Sequence, residues 1–303
     1  MNKDVKVLVF GGSGFVGLSL VQELAKSGFS NLIIADIERP KVLLPSSVEF
    51  QQADILSSGV VLSLMSEIQP EIVYNFAAFA SLDKAISSPK KTFELNVIGN
   101  INVIEACIKC DVKLFVFASS AYAMSDKGSF YGISKLTSEK IVEEYGTRFN
   151  LNYSILRYGS IYAAADFENN YLFQVIKEAI LNGVLVNYGN GEEVREYVHV
   201  ADVSKLAVEV LGNKDLWNAP LILTGTERLK RRELFEMIRE ILGDESLRIE
   251  HSREGGSNHY MLTPYSFQGT SARKMVANPH YDMGQGILDC IHVITQMIKE
   301  GDE

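Results

Sequence analysis

Proline is scarce in this chain, with 7 residues in 303, and no stretch is dominated by a few residue types. Disorder and long linkers are therefore not expected, because such segments are poor in apolar residues and often rich in proline. Cationic side chains are the minority charge: 29 Lys and Arg stand against 38 Asp and Glu, for a net charge of −9. The longest basic run is the tripeptide Lys230-Arg231-Arg232, read as the solvated start of a helix. Nucleic acid and an anionic membrane are thus not expected as partners, and an anionic ligand would need individually placed arginines. No apolar run approaches the roughly 20 residues that span a bilayer. The segment Met1 to Lys6 carries charges at Lys3, Asp4 and Lys6 and passes at once into a strand. That pattern is not a signal peptide, and the expected location is the cytoplasm. Cysteine is limited to Cys107, Cys110 and Cys290. The first two have C-x-x-C spacing but no second pair and no nearby histidine. They read as thiols near a helix end in a reducing compartment, with no metal expected. No internal repeat occurs at solenoid periods.

What the chain does contain is 47% hydrophobic residues and 22% charged ones, enough for one large domain or two closely joined ones. Val5 to Phe10 reads as an apolar strand running into Gly11-Gly12-Ser13-Gly14-Phe15-Val16-Gly17. Val16, Leu20, Val21 and Leu24 then mark an amphipathic helix ending at Gly28. Strand, glycine turn and helix in that order suit a pyrophosphate: the glycines admit it to the backbone N–H groups, and the helix N-terminus favours its charge. A second strand, Asn31 to Asp36, ends in a carboxylate placed to accept ribose hydroxyls and to repel a 2′-phosphate, which favours NAD over NADP. Further strands are expected at Val48–Ala53, Glu71–Ala78, Lys113–Ala118 and Leu151–Leu156. Helices alternate with them at Ser57–Ile68, from Pro89, and from Tyr131 to Phe149. This alternation predicts an α/β fold with a doubly wound parallel Rossmann sheet. Asp54, Ala77-Ala78 and Ser119-Ser120 fall at carboxyl ends of strands, where such sheets bind ligands. After Arg157 the pattern loosens. It yields helices at Tyr171–Leu181, from Asp202, at Arg231–Leu242 and at Gly286–Lys299, with strands at Arg195–Val200 and Leu221–Thr224. These predict a smaller C-terminal α/β lobe.

Tyr131 and Lys135 are four residues apart on one helical face. A cation one turn from a phenol favours phenolate, so the expected pKa of Tyr131 lies below the ordinary tyrosine value. Such a group could move a proton off a substrate hydroxyl.

Taken together, these segments resemble the extended short-chain dehydrogenase/reductase family, specifically its NAD-dependent nucleotide-sugar epimerases and dehydratases. The resemblance rests on Gly11-x-x-Gly14-x-x-Gly17, Tyr74-Asn75-Phe76-Ala77-Ala78, Asn96-Val97-x-Gly99-Asn100 and Phe117-Ala118-Ser119-Ser120. It continues through Tyr131-Gly132-x-Ser134-Lys135, Leu156-Arg157-Tyr158 and Arg195-Glu196-Tyr197-Val198-His199-Val200-x-Asp202-Val203. It implies Ser120, Tyr131 and Lys135 as the catalytic set, with Ser119 as the alternative serine. It implies an NAD site of Gly11, Gly14, Phe15, Val16, Gly17, Asp36, Asp54, Ile55, Phe76, Ala77, Ala78, Asn96, Tyr131, Lys135 and Tyr158. Substrate contacts are implied for Ser120, Ser160, Arg195 and Arg253, the two arginines holding a diphosphate. The implied division is a cofactor domain of residues 1–160, to which 194–212 return, and a substrate lobe of 161–193 and 213–303. A homodimer through the Pro89–Cys110 and Tyr131–Phe149 helices is implied as well, using apolar residues such as Val97, Ile101 and Ile108.

The chain also departs from that family. Asn75 replaces a usual histidine, and Ala123-Met124-Ser125 replaces Val-Tyr-Gly. Only Ala121 to Phe130 remain of a longer loop, Ser160 replaces an asparagine, and Ala163-Ala164 replaces Gly-Pro. Ala121 and Tyr122 stand where a 4,6-dehydratase carries an acidic pair, so elimination is not expected. The implied activity is oxidoreduction at C4 of a nucleotide sugar, first as a 4-epimerase. A 4-keto-sugar reductase or dehydrogenase is the enzymatic alternative, and a non-catalytic NAD-binding protein the remaining one.

Overall fold

The protein's computed structural model describes residues 2–188, 190–252, 259–266 and 271–301. Its strands are β1 (Lys6–Phe10), β2 (Asn31–Asp36), β3 (Val48–Gln52), β4 (Ile72–Asn75), β5 (Leu114–Ser120), β6 (Tyr153–Tyr158) and β7 (Ser160–Tyr162). They continue as β8 (Val184–Tyr188), β9 (Val194–His199), β10 (Ala219–Leu223), β11 (Arg228–Lys230), β12 (Arg248–Ser252) and β13 (Arg273–Met275). Eight strands form one sheet in the order β13-β10-β6-β5-β4-β1-β2-β3, and every pairing in it is parallel. The segment β3-β2-β1-β4-β5-β6 is the doubly wound order of dinucleotide-binding sheets, and it reverses direction between β1 and β4.

Side-chain alternation explains why the sheet can be covered on both sides. Val7 and Val9 point into one core and Leu8 and Phe10 into the other; Leu114 and Val116 of β5 oppose Phe115 and Phe117 in the same way. Both faces are apolar, so these strands read as continuous hydrophobic runs. Leu20, Val21 and Leu24 of the helix Phe15–Lys26, with Val203, Ala207 and Val210 of Val200–Gly212, cover the first face. The helices Ser58–Ile68, Gly99–Lys109 and Ser129–Phe149 cover the second through Val61, Met65, Val103, Ile104 and Val142.

Several boundaries differ from expectation. The helix expected from Pro89 begins as Pro89–Phe93, widens into a π turn at Glu94–Ile98 and resumes as Gly99–Lys109. That turn carries Asn96, whose side chain accepts from the Phe79 N–H at 2.6 Å and donates to Ser134 Oγ at 2.9 Å. π turns inside helices recur at functional sites. β5 extends to Ser120, and β6 runs Tyr153–Tyr158, two residues later at each end than the expected Leu151–Leu156, so Arg157 and Tyr158 lie in the sheet. Val97, expected on the outside of its helix, is buried, while Ile98 beside it is half exposed.

Beyond β6, two short strands from late in the chain, β10 and β13, extend the large sheet. β11-β9-β7 and β12-β8 form two smaller sheets. They pack with the helices Tyr171–Asn182, Arg231–Leu242 and Met283–Gly301 around a separate core that includes Phe173, Ile176, Phe235, Ile238 and Ile287. Among the described residues no helix is long and apolar enough to cross a membrane, and no side-chain cluster could hold a metal ion. All three cysteines are free and buried.

Candidate active site

At the sheet's switch point the glycines do two different jobs. Gly11 has φ of +74°, and a Cβ there would fall 2.3 Å from the Ala77 nitrogen. A Cβ on Gly17 would strike the Gly11 carbonyl at 2.2 Å. These two are required by the packing of turn, strand and helix. Gly14 is not: a Cβ there would meet only the Gly11 carbonyl, at an ordinary 3.4 Å. What its missing side chain leaves open is the space over the N-terminus of the helix Phe15–Lys26, which no side chain caps. A pyrophosphate fits that space, with N–H groups and the positive end of the helix dipole facing it.

Asp36 ends β2 beside this turn. Its Oδ2 accepts from the Ser13 N–H at 3.0 Å and its Oδ1 from the Ile37 N–H at 2.7 Å. Each carboxylate oxygen keeps further acceptor capacity, which matches a ribose diol. Burial raises the Asp36 carboxyl above its ordinary range, opposed by hydrogen bonds from the Ser13, Ile37 and Glu38 backbone. The residues present therefore fit the adenosine and pyrophosphate of NAD. Asp54 is exposed and accepts from the Leu56 N–H, while Ile55 beside it is buried. Phe76, at the end of β4, packs between Tyr74 and Tyr158. Ala77 and Ala78 follow, half buried. Phe15 and Val16 pack into the core at the helix start, Phe15 against Phe167, so they shape the turn from behind. Tyr158 is buried with no partner for its hydroxyl.

Ser120 and Tyr131 come together at the end of β5, where the Ser120 hydroxyl lies close enough to act on the phenol and accepts from the Tyr122 N–H at 3.2 Å. Strand alternation decides which serine does this. Ser119 turns under the helix Ser129–Phe149 and donates to Glu139 Oε1 at 2.5 Å, whereas Ser120 turns the other way and faces the phenol. Lys135 is buried, donates to the Ala118 carbonyl at 2.7 Å and lies 5.0 Å from the Phe117 ring centre. The electrostatics correct the sequence-based expectation. Burial pushes Tyr131 up to about 12, with the neighbouring Ser120 hydroxyl pulling downward, so the tyrosine is not depressed. Burial instead lowers Lys135 to about 8, with the Glu139 carboxylate opposing. The ammonium is directed at a backbone carbonyl, and desolvation dominates both groups.

Glu139, one turn beyond Lys135, was not singled out by the sequence reading. It is fully buried and bound by Arg157 of β6 through both oxygens, at 2.9 and 2.6 Å. The pair ties the helix bearing Tyr131 to β5 and β6. The Lys135-to-Glu139 spacing was a signal for it, as was the unassigned Arg157.

On the substrate side, Ser160 lies beside the Tyr260 phenol and pulls its pKa downward, against the burial that raises it. Arg195 is buried on β9, donates to the Tyr260 carbonyl at 2.7 Å and stacks on the Tyr260 ring at 4.1 Å. Its Nη2 has no hydrogen-bond partner. Arg253 lies outside the described residues. Tyr122, two residues after Ser120, packs against the rings of Tyr131 and Tyr260 and hydrogen-bonds His259 Nδ1 at 2.6 Å. Nothing in the sequence joined Tyr122 to His259, which are 137 residues apart.

A glycine turn fitted to a dinucleotide and a serine, tyrosine and lysine at the adjoining strand ends define a Rossmann-type site of the short-chain dehydrogenase kind. Residues 7–220 match the model of the NAD dependent epimerase/dehydratase family, and the chain belongs to that family of NAD-dependent enzymes. A putative UDP-glucose 4-epimerase of Methanocaldococcus jannaschii is 26% identical over 256 residues, which cover 78% of this chain and 82% of the relative. A UDP-glucose 4-epimerase of Lactobacillus helveticus is 28% identical over 229 residues, covering 66% and 69% of the two chains. Among solved structures, the UDP-glucose 4-epimerase of Thermus thermophilus in complex with NAD superposes with a TM-score of 0.79 at 25% identity, covering 96% of this chain and 99% of that one. That of Thermotoga maritima with UDP-glucose gives 0.81 at 23% identity over 97% and 100%, a likeness of fold.

Proposed function

We propose that the protein is a nucleotide-sugar 4-epimerase that uses tightly held NAD. The observation that carries this reading is the juxtaposition of Ser120, at the end of β5, with the Tyr131 phenol it acts on, and of Lys135 one turn along the same helix. Ser120 orients the C4 oxygen of the sugar, and Tyr131 exchanges a proton with it. Lys135, fixed on the Ala118 carbonyl, holds a positive charge beside that exchange. NAD held by the Gly11–Gly17 turn and Asp36 would supply reversible hydride chemistry at C4 and a positive ring that would favour the phenolate. Asn96 holds the backbone at Phe79, and Glu139 with Arg157 holds the catalytic helix.

The turn Ala121–Met124 after Ser120 presents Tyr122, hydrogen-bonded to His259, and no carboxylate. This supports retention of the sugar's oxygens over elimination of water. The names of the relatives support UDP as the nucleotide. The proposed division assigns residues 1–160 and 194–212 to the cofactor and 161–193 with 213–303 to the sugar, although β10 and β13 join the large sheet. A homodimer is part of the proposal, through exposed Ile98, Ile133, Leu136 and Phe149 on the two long helical segments; a monomer mass by light scattering would refute it. Mass spectrometry of small molecules released from the purified protein tests the reading. Released NAD, with or without a nucleotide sugar, is expected; NADP in its place would count against it.

A further inference from the structure

Register along β9 and β11 brings an unassigned arginine beside Arg195. Leu229 pairs with Arg195 and Lys230 with Val194, and the Arg231 N–H continues the pattern by donating to the Glu193 carbonyl at 3.0 Å. Arg231 therefore stands opposite Glu193, on the face that carries Arg195, one diagonal step away. Both arginines are more than nine-tenths buried: Arg195 is 5% exposed and Arg231 8%. Each keeps a donor without a hydrogen-bond partner, Nη2 on Arg195 and Nε on Arg231. Each guanidinium is backed by a ring, Tyr260 at 4.1 Å and Tyr171 at 5.2 Å.

Two adjacent buried cations are unfavourable unless an anion meets them. Glu193, buried on the same face, does not do so fully, because its own Oε2 lacks a hydrogen-bond partner. Among the described residues, neither guanidinium forms an ion pair with a carboxylate. Both charges reach towards the catalytic end. Burial lowers His259 below the ordinary histidine range, and Arg195 and Arg231 push it the same way. The rings of Tyr131, Tyr122 and Tyr260, then the Arg195 guanidinium, follow one another in steps of 6.2, 4.8 and 4.1 Å.

We propose that Arg231 joins Arg195 in a buried two-guanidinium site for the diphosphate of the nucleotide-sugar substrate, so that Arg231 is a specificity-determining residue. The proposal rests on the nucleotide-sugar reading above. The planar guanidinium forks suit phosphate oxygens, and the open donors acquire their partners when the diphosphate enters. Sequence had placed Arg231 at the solvated start of a helix; the structure buries it instead.

The test is calorimetric titration of the full-length protein, wild type and Arg231→Met, with UDP, UDP-glucuronate, UMP, inorganic pyrophosphate and NAD. Arg231→Met is expected to weaken UDP and pyrophosphate by about tenfold or more, the scale of a charge-assisted hydrogen bond. UMP is expected to lose less, and NAD affinity to stay unchanged. The ligand-free thermal midpoint of Arg231→Met should equal or exceed that of wild type, because a buried unpaired charge is removed. Arg231→Lys should recover part of the UDP affinity. Unchanged UDP binding would overturn the proposal, as would a lowered midpoint with no recovery in Arg231→Lys, which marks a packing role. Loss confined to UDP-glucuronate, with UDP unaffected, would assign Arg231 to a sugar carboxylate and also overturn it. Wild type that binds neither UDP nor pyrophosphate overturns it as well. Wild type that binds pyrophosphate through Arg231 but turns over no nucleotide sugar would sink the epimerase reading and leave the anion site standing.

Discussion

Ser120 and Tyr131 meet side chain to side chain across the end of the central sheet, although one closes a strand and the other opens a helix. The contact fixes where a substrate oxygen can sit, within reach of both hydroxyls. Replacing Tyr131 by Phe removes the exchangeable proton and leaves the ring packed against Tyr122. Turnover is expected to fall by about 10²–10⁴-fold, with the circular dichroism spectrum and NAD affinity close to wild type. Activity near the wild-type level would remove Tyr131 from the mechanism.

Lys135 makes a prediction about stability and pH. Its pKa is about 8 in the folded protein, against about 10.4 in an unfolded chain. Between these values the unfolded chain binds more protons, so stability rises with pH through that window; below about 8 the cost of the buried ammonium is present in full. Lys135→Met should therefore be more stable than wild type at pH 7, by roughly 1–3 kcal/mol. The gain should shrink towards pH 10.5. Urea denaturation of the ligand-free proteins at both pH values measures it, and a variant equally or less stable at pH 7 would contradict the assignment.

Glu139 and Arg157 form a buried pair in which each needs the other. Glu139→Gln removes the buried carboxylate that Arg157 bonds through both oxygens, and the expected loss of stability is about 3–5 kcal/mol. Replacing both, as Glu139→Leu with Arg157→Met, should recover much of it. A loss below about 1 kcal/mol for Glu139→Gln would show that the pair does not anchor the catalytic helix.

Asp36 predicts cofactor choice. Its carboxylate is held by the Ser13 and Ile37 N–H groups beside the glycine turn, where the proposed adenosine ribose would sit. NAD should bind more tightly than NADP, and Asp36→Ala should narrow the gap by weakening NAD. Tighter NADP binding by the wild type would overturn the reading, with Arg39 as the first residue to test; its guanidinium stacks on Phe50.

The parallel sheet was legible because both of its faces are buried, which writes β1, β2, β4 and β5 as apolar runs separated by helical periodicity. The glycine turn, Asp36 and the Tyr131 helix were legible for the same reason: each sits at the end of such a run. The second lobe was not. β7, β11 and β13 are three residues long, too short for a period to develop, and β11 and β13 mix charged with apolar side chains. Burial of Arg195 and Arg231 depends on register between β9 and β11, and the Tyr122–His259 contact on a late segment folding back over β5. The pKa of Tyr131 was misjudged because spacing along a helix shows a nearby cation but not the desolvation that outweighs it.

The most direct test is incubation of the purified protein with UDP-glucose, UDP-galactose and their N-acetyl forms without added cofactor. Configuration at C4 is followed by NMR and nicotinamide absorbance by spectrophotometry. The account predicts inversion at C4 of at least one of these sugars, with no net formation of NADH. No inversion of any sugar, together with stoichiometric reduction of a 4-keto sugar by added NADH, would contradict it.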